Sequence, residues 1–95
     1  MIRFLKARDW GVKETSGNIY QSGFPDLYAY HANYGTRWIE MKMPTGYKFT
    51  PAQLQTFPEW SSKNVGIWVL TSATESEYKK LFKPANWMWF LSVMK

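Results

Sequence analysis

The chain has 95 residues, 45% of them hydrophobic, with six Trp, six Tyr and six Phe; 12 basic and 7 acidic residues give a net charge of +5. This length fits a single domain over 1–95, and the aromatic content excludes a disordered tail; without cysteine there is no disulfide scaffold, Cys-ligated zinc or thiol nucleophile. One histidine, His31, excludes His-pair metal sites, and the positive charge permits a nucleic-acid partner without requiring one.

Met1 to about Trp10 sets Ile2, Phe4 and Leu5 beside Arg3, Lys6 and Arg8, which predicts a short amphipathic helix ending near Gly11. Val12 to Gln21 reads as a short strand followed by a loop, and Ser22-Gly23-Phe24-Pro25 is turn chemistry. Leu27 to Ala32 alternates as a strand, Asn33-Tyr34-Gly35 signals a hairpin turn, and Thr36 to Met43 is its partner strand. Pro44-Thr45-Gly46 breaks that strand. Thr50-Pro51-Ala52-Gln53 then starts a helix, with Thr as N-cap, Pro at the first position and Gln three residues after the cap. The helix runs through Leu54 and Phe57 toward Trp60, with Pro58 expected to kink or end it.

Val65 to Thr71 is nearly all apolar and predicts a buried central strand. Ser72 to Phe82 opens on an N-cap and carries Tyr78, Leu81 and Phe82 on one helical face. Trp87 to Val93 is an aromatic end with no clear local preference. The order α-β-β-β-α-β-α predicts an α/β fold, one mixed sheet flanked by helices. No segment reaches the roughly 18 apolar residues of a membrane span. Met1 to Lys6 carries charges where a signal peptide needs an apolar run, so a soluble, cytoplasmic protein is expected.

The chemistry concentrates between Ser22 and Gln53. With Tyr34 as the hairpin midpoint, Asp26 faces Lys42 and Tyr28 faces Glu40. Alternation then puts Asp26, Glu40 and Lys42 on one face, and Leu27, Ala29, Ile39 and Met41 on the other. Two carboxylates with a backbone carbonyl make an oxygen-only site suited to Mg²⁺ or Mn²⁺. Such a metal clamps a phosphate and acidifies water, and a neighbouring Lys offsets transition-state charge. Metal-assisted phosphodiester hydrolysis is the reaction this set can run.

Pro25-Asp26 followed by Glu40-x-Lys42 resembles the PD-(D/E)xK nucleases. The longer string is more specific. Ser22-Gly23-Phe24-Pro25-Asp26-Leu27, Ile39-Glu40-Met41-Lys42, Thr50-Pro51-Ala52-Gln53 and Val65 to Leu70 are similar to the VRR-NUC family, the virus-type replication-repair nucleases. The resemblance covers about residues 10–72. It implies a restriction-endonuclease-like fold, Mg²⁺ or Mn²⁺ catalysis, branched or flapped DNA as substrate, a Holliday-junction-resolvase-like homodimer, and a role in DNA repair, in the host cytoplasm if the chain is phage-encoded. Carried onto this chain, Asp26, Glu40 and the Met41 carbonyl hold the metal, Lys42 is the catalytic lysine, and Gln53 reaches the site from its helix. Many relatives also place a Glu on the first helix. Met1 to Trp10 has none, and neither Asp9 nor Glu14 clearly replaces it.

Plainer readings stand beside these. Glu40 and Lys42 could be a surface cross-strand pair, and Gln53 could serve only as the second half of a capping box. Glu77-Tyr78-Lys79 repeats the E-x-K spacing on a polar helix face and reads as solvated. His31 reads as an edge-strand residue near the turn. Lys42, Lys48 and Lys63 lie on or near the site side, with Lys48 the best DNA-phosphate contact. Trp87 to Leu91 reads first as a subunit interface, then as a base-stacking platform, then as packing. Beside the nuclease stand two other functions: a catalytically weak or inactive DNA-binding module of the same fold, and a structural subunit docking a partner through its aromatic end.

Overall fold

The computed structural model describes residues 1–15 and 23–93. Alternating residues make a hairpin of β2 (Leu27–His31) and β3 (Gly35–Met41). β1 (Gly11–Glu14) pairs antiparallel with β2, and β4 (Ile67–Leu70) pairs parallel with β3. The sheet therefore runs β1-β2-β3-β4, a four-stranded mixed sheet in a mixed α/β fold. Helices α1 (Ile2–Lys6), α2 (Pro51–Ser62), α3 (Glu75–Tyr78) and α4 (Trp87–Val93) surround it, with a 3-10 turn over Lys79–Phe82.

The hairpin is centred on Asn33, not Tyr34. Gly35 pairs with His31 and takes a φ of 80°, the left-handed geometry that closes a three-residue loop over 32–34. Tyr28 consequently faces Trp38 rather than Glu40, and Asp26 comes level with Glu40 rather than Lys42. Moving the centre by one residue moves each pairing by two. Side chains keep their faces under such a shift, so the separation of polar and apolar positions survives.

Two cores sandwich the sheet. Leu27, Ala29, Ile39 and Leu70 pack with Leu5 of α1, Trp10 and Leu81 on one side. Ile67 and Val69 pack with Phe57 of α2, Phe49, and Trp87 and Phe90 of α4 on the other. The C-terminal aromatic segment is thus a helix whose inner face belongs to the core. Met88, Trp89 and Val93 stay exposed.

β4 is buried as its apolar run requires, but it is the last strand of the sheet, not a central one. Side chains close its outer edge. Asn86 accepts from the Val69 N–H at 2.6 Å and donates to the Val69 carbonyl at 3.0 Å, as a neighbouring strand would. Glu77 accepts from the Thr71 N–H at 2.8 Å. An edge whose central backbone groups are covered in this way is a poorer template for another chain.

Other boundaries shift for local reasons. α1 stops at Lys6, and a turn through Asp9 (φ 67°) leads into β1. α2 continues through Pro58 to Ser62, and the carbonyl that Pro58 cannot bond belongs to exposed Leu54, where water can reach it. α3 is capped by Thr74, whose hydroxyl accepts from the Glu77 N–H, rather than by Ser72. Of the strand and loop expected over 12–21, the strand ends at Glu14; most of the loop, and Ser22, lie outside the described residues. Among the described residues no helix is long and apolar enough to cross a membrane.

Candidate active site

The site sits where β2 and β3 part. Here Asp26 stands in for a strand partner: its Oδ2 accepts the Met41 N–H at 2.9 Å. A strand residue points its N–H and C=O the same way, so the Met41 carbonyl faces the same fork. The Asp26 N–H in turn donates to Glu40 Oε1 at 3.2 Å. A loop residue earlier in the chain explains how this corner meets α2. Gly23 has a φ of 86°, and a Cβ there would come within 2.7 Å of Thr56 Oγ1 and 2.9 Å of the Ala52 carbonyl. Only glycine lets the loop before Pro25-Asp26 lie against the start of α2.

Glu40 is 2% exposed and is met by three partners. Its Oε2 lies 2.9 Å from Lys42 Nζ and accepts from Gln53 Nε2 at 2.8 Å. Lys42 Nζ also donates to Gln53 Oε1 at 3.0 Å, which closes a triangle of carboxylate, ammonium and amide. Burial pushes the Glu40 carboxyl above its ordinary value, and the nearby Asp26 charge adds to the rise. Hydrogen bonds from Lys42 and Gln53 work against that rise without cancelling it.

Gln53 completes the capping box and also reaches Glu40 and Lys42. Thr50 Oγ1 accepts from the Gln53 N–H at 3.1 Å, and the Thr50 N–H donates to Gln53 Oε1 at 3.0 Å, completing the capping box. That uses one end of the amide. The other end donates to Glu40, and the capping oxygen is shared with Lys42. A carbonyl oxygen has two lone pairs, so both bonds fit.

Lys42 is positioned at both ends. Its N–H donates to the Leu70 carbonyl on β4 at 2.9 Å. Its ammonium stands 4.6 Å over the Phe49 ring, which Trp87 of α4 supports edge-on at 4.9 Å. Sequence reasoning missed Phe49. Its only local signal is an aromatic residue directly before the Thr50 cap.

The other residues singled out by the sequence take no part in this triangle. His31 lies in inner strand β2 rather than an edge strand, accepts from the Asn33 N–H through Nδ1 and meets Trp10 and Tyr34 at tilted angles at the turn, away from the fork. Lys63 caps the far end of α2, roughly 15 Å along the helix from Gln53. Lys48 is exposed in the loop between β3 and α2. Glu77 is not solvated: its side chain is 14% exposed, and it holds Lys80 at 2.8 Å as well as Thr71.

Asp26, Glu40 and the Met41 carbonyl offer hard oxygen donors at one corner, and a magnesium-type ion needs only one or two carboxylates besides water and phosphate oxygens. The donor types are those such an ion takes, and both Glu40 oxygens also accept protein hydrogen bonds. Glu14 and Arg3 line an open cavity of about 430 Å³ together with Asp26 and Met41. Among the described residues no group of three or more His, Asp or Glu is arranged to hold a metal. No family model, curated protein or solved structure matches the chain.

Proposed function

We propose that the protein is a divalent-metal-dependent DNA endonuclease that hydrolyses phosphodiesters, with Asp26, Glu40, Lys42 and Gln53 as its working set. The observation that carries this reading is the Lys42 ammonium, 12% exposed and held 2.9 Å from Glu40 at the fork that Asp26 also occupies. A purely structural strand pair gains little from burying a carboxylate whose charged form is disfavoured there. Paired acids beside a positioned cation suit hydrolysis of a polyanion. The VRR-NUC resemblance and a restriction-endonuclease-like core belong to the same proposal, supported by an antiparallel hairpin followed by a helix and a parallel strand.

Asp26, Glu40 and the Met41 carbonyl would hold Mg²⁺ or Mn²⁺, which supplies Lewis acidity at the scissile phosphate. Lys42 faces the same corner and offsets charge that builds on the phosphate oxygens during in-line attack. Gln53 keeps Lys42 and Glu40 in register through its two amide ends. Phe49 and Leu70 fix the lysine at tip and backbone. Structured DNA, a junction or flap, is the substrate class. A homodimer is part of the proposal because one chain carries one such site, and paired cuts across a junction need two. Lys48, exposed in the loop between β3 and α2, is the phosphate contact of this proposal.

The test is cleavage of end-labelled junction, flap and duplex DNA with Mn²⁺ or Mg²⁺. Wild type should cut at least one of them, and Lys42→Ala should cut at least about 100-fold more slowly, in line with loss of one charge-stabilising group. The reading fails if wild type cuts none, or if Lys42→Ala cuts equally well. A second reading, a DNA-binding module without catalysis, draws on one observation: both Glu40 oxygens already have protein donors. Binding of all three DNAs with no cutting in either metal would select it.

A further inference from the structure

The 3-10 turn and α4 enclose a cavity of about 320 Å³ lined by Lys80, Lys83, Pro84, Asn86, Trp89 and Phe90. We infer that this cavity binds an unpaired nucleotide of a DNA single strand, with the base on Trp89 and the phosphate at Lys83. The inference rests on the nuclease reading for its substrate, but it concerns a separate surface.

Trp89 is 59% exposed although the same helix buries Trp87 and Phe90. Trp89 shares the outer side of α4 with exposed Met88 and Val93, which leaves its indole face open to a ligand. Its ring meets Phe90 edge-on at 4.9 Å, which leaves the cavity an aromatic wall. Cations line the rim. Lys80 is paired with Glu77, whereas Lys83 is exposed and has no carboxylate partner among the described residues. A π-face next to an ammonium is the pair that binds a base and its phosphate. In a duplex the base faces are already stacked on each other, so the platform selects single-stranded DNA.

The walls are preorganised. Asn86 is locked to both polar groups of Val69, and the Lys83 carbonyl accepts from Trp68 Nε1 at 2.9 Å. Little ordering is then needed on binding. Buried rings connect the cavity to the site through the core: Lys80 Nζ is 6.0 Å from the Phe90 ring, Phe90 is 6.3 Å from Phe49, and Phe49 lies under Lys42.

The experiment uses the full chain in EDTA, so that binding is read without cutting. Fluorescence anisotropy of a labelled 20-nucleotide single strand and of a blunt duplex is measured over a salt series for wild type, Trp89→Ala, Trp89→Phe and Lys83→Ala. Trp89→Ala should weaken single-strand binding about tenfold or more, Trp89→Phe should recover most of it, and Lys83→Ala should lower the salt slope by about one. Unchanged binding by Trp89→Ala overturns the assignment. Equal loss on the blunt duplex overturns the single-strand choice. Conversion of a dimer to a monomer by Trp89→Ala in sedimentation makes a second copy the occupant and also overturns it. A wild type that binds single strands through Trp89 yet never cuts DNA leaves this inference standing and removes the nuclease reading. A wild type that cuts DNA while Trp89→Ala binds normally does the reverse.

Discussion

Gln53 places one amide end 2.8 Å from Glu40 Oε2 while its other end caps α2 and receives Lys42. The start of a helix and the proposed catalytic pair are therefore tied by one side chain. Anything that moves the cap also moves the acid and the lysine.

The two roles of Gln53 can be separated. Thr50→Ala removes only the hydroxyl that accepts the Gln53 N–H, and should cost about 1 kcal/mol of stability with cleavage close to wild type. Gln53→Glu keeps an acceptor for the Thr50 N–H and Lys42 but turns the donor to Glu40 into a second carboxylate oxygen. It should cut DNA at least about tenfold more slowly, because like charges now meet at a buried site. Thermal melts and cleavage rates on the same samples check both. A Thr50→Ala protein that loses cleavage as fully as Gln53→Glu would reduce Gln53 to a cap.

Glu40 sets a pH dependence of defined sign. Its folded carboxyl is raised above the ordinary 4.5, first by burial. Between 4.5 and the higher folded value the native state holds more protons than the unfolded one, so stability falls as pH rises through that window. Glu40→Gln removes this titration. Without metal, its melting temperature should equal or exceed wild type at about pH 7.5, and that difference should shrink as pH falls below 4.5. Adding Mn²⁺ should raise the wild-type melting temperature and leave Glu40→Gln unmoved. A difference that grows on acidification would contradict this sign.

Glu77 acts on the other side of 4.5. Its partial burial alone would raise the carboxyl, but Lys80 and the Thr71 donors outweigh that and hold it below 4.5. A depressed carboxyl stabilises the fold above its unfolded value and loses that contribution as pH falls through the folded one. Glu77→Gln should cost about 1–3 kcal/mol at neutral pH, since it gives up charge-assisted bonds to Lys80 and Thr71. The cost should disappear in acid, below the window that Glu40 controls. Denaturant melts from about pH 7 stepwise into acid make the comparison, and a cost that stays constant throughout would rule out the charge as its source.

How far residues alone reach is visible in these same side chains. Thr50-Pro51-x-Gln53 could be read because a capping box is local chemistry. Asp26, Glu40 and Lys42 could be grouped because strand alternation has a period of two, and an error of one residue in the turn centre preserves it. The place of β4 could not be read. A run buried on both faces looks the same whether strands flank it on both sides or Asn86 and Glu77 take the place of one. Those two contacts, and the ring of Phe49 under Lys42, join residues distant in sequence or of no chemical distinction, so no spacing announces them. Glu77 in particular shares its E-x-K pattern with Glu40, and only the fold separates an acid that closes a strand edge from one buried beside Lys42 and Gln53.

Asn86 gives that last point a test of its own. Its amide supplies both the acceptor and the donor that a fifth strand would offer to Val69. Asn86→Ala leaves the Val69 N–H and carbonyl without those partners at the edge of the sheet. Stability should fall by about 1–3 kcal/mol for the lost bonds. The open edge should also pair with other copies, because an unblocked strand templates another. Sedimentation of Asn86→Ala should therefore show association that rises with protein concentration, whereas Asn86→Asp, which keeps the acceptor and adds a charge at the edge, should lose stability but stay as dispersed as wild type. If Asn86→Ala melts lower without associating, the side chain contributes only its bonds, and other residues guard the edge of β4.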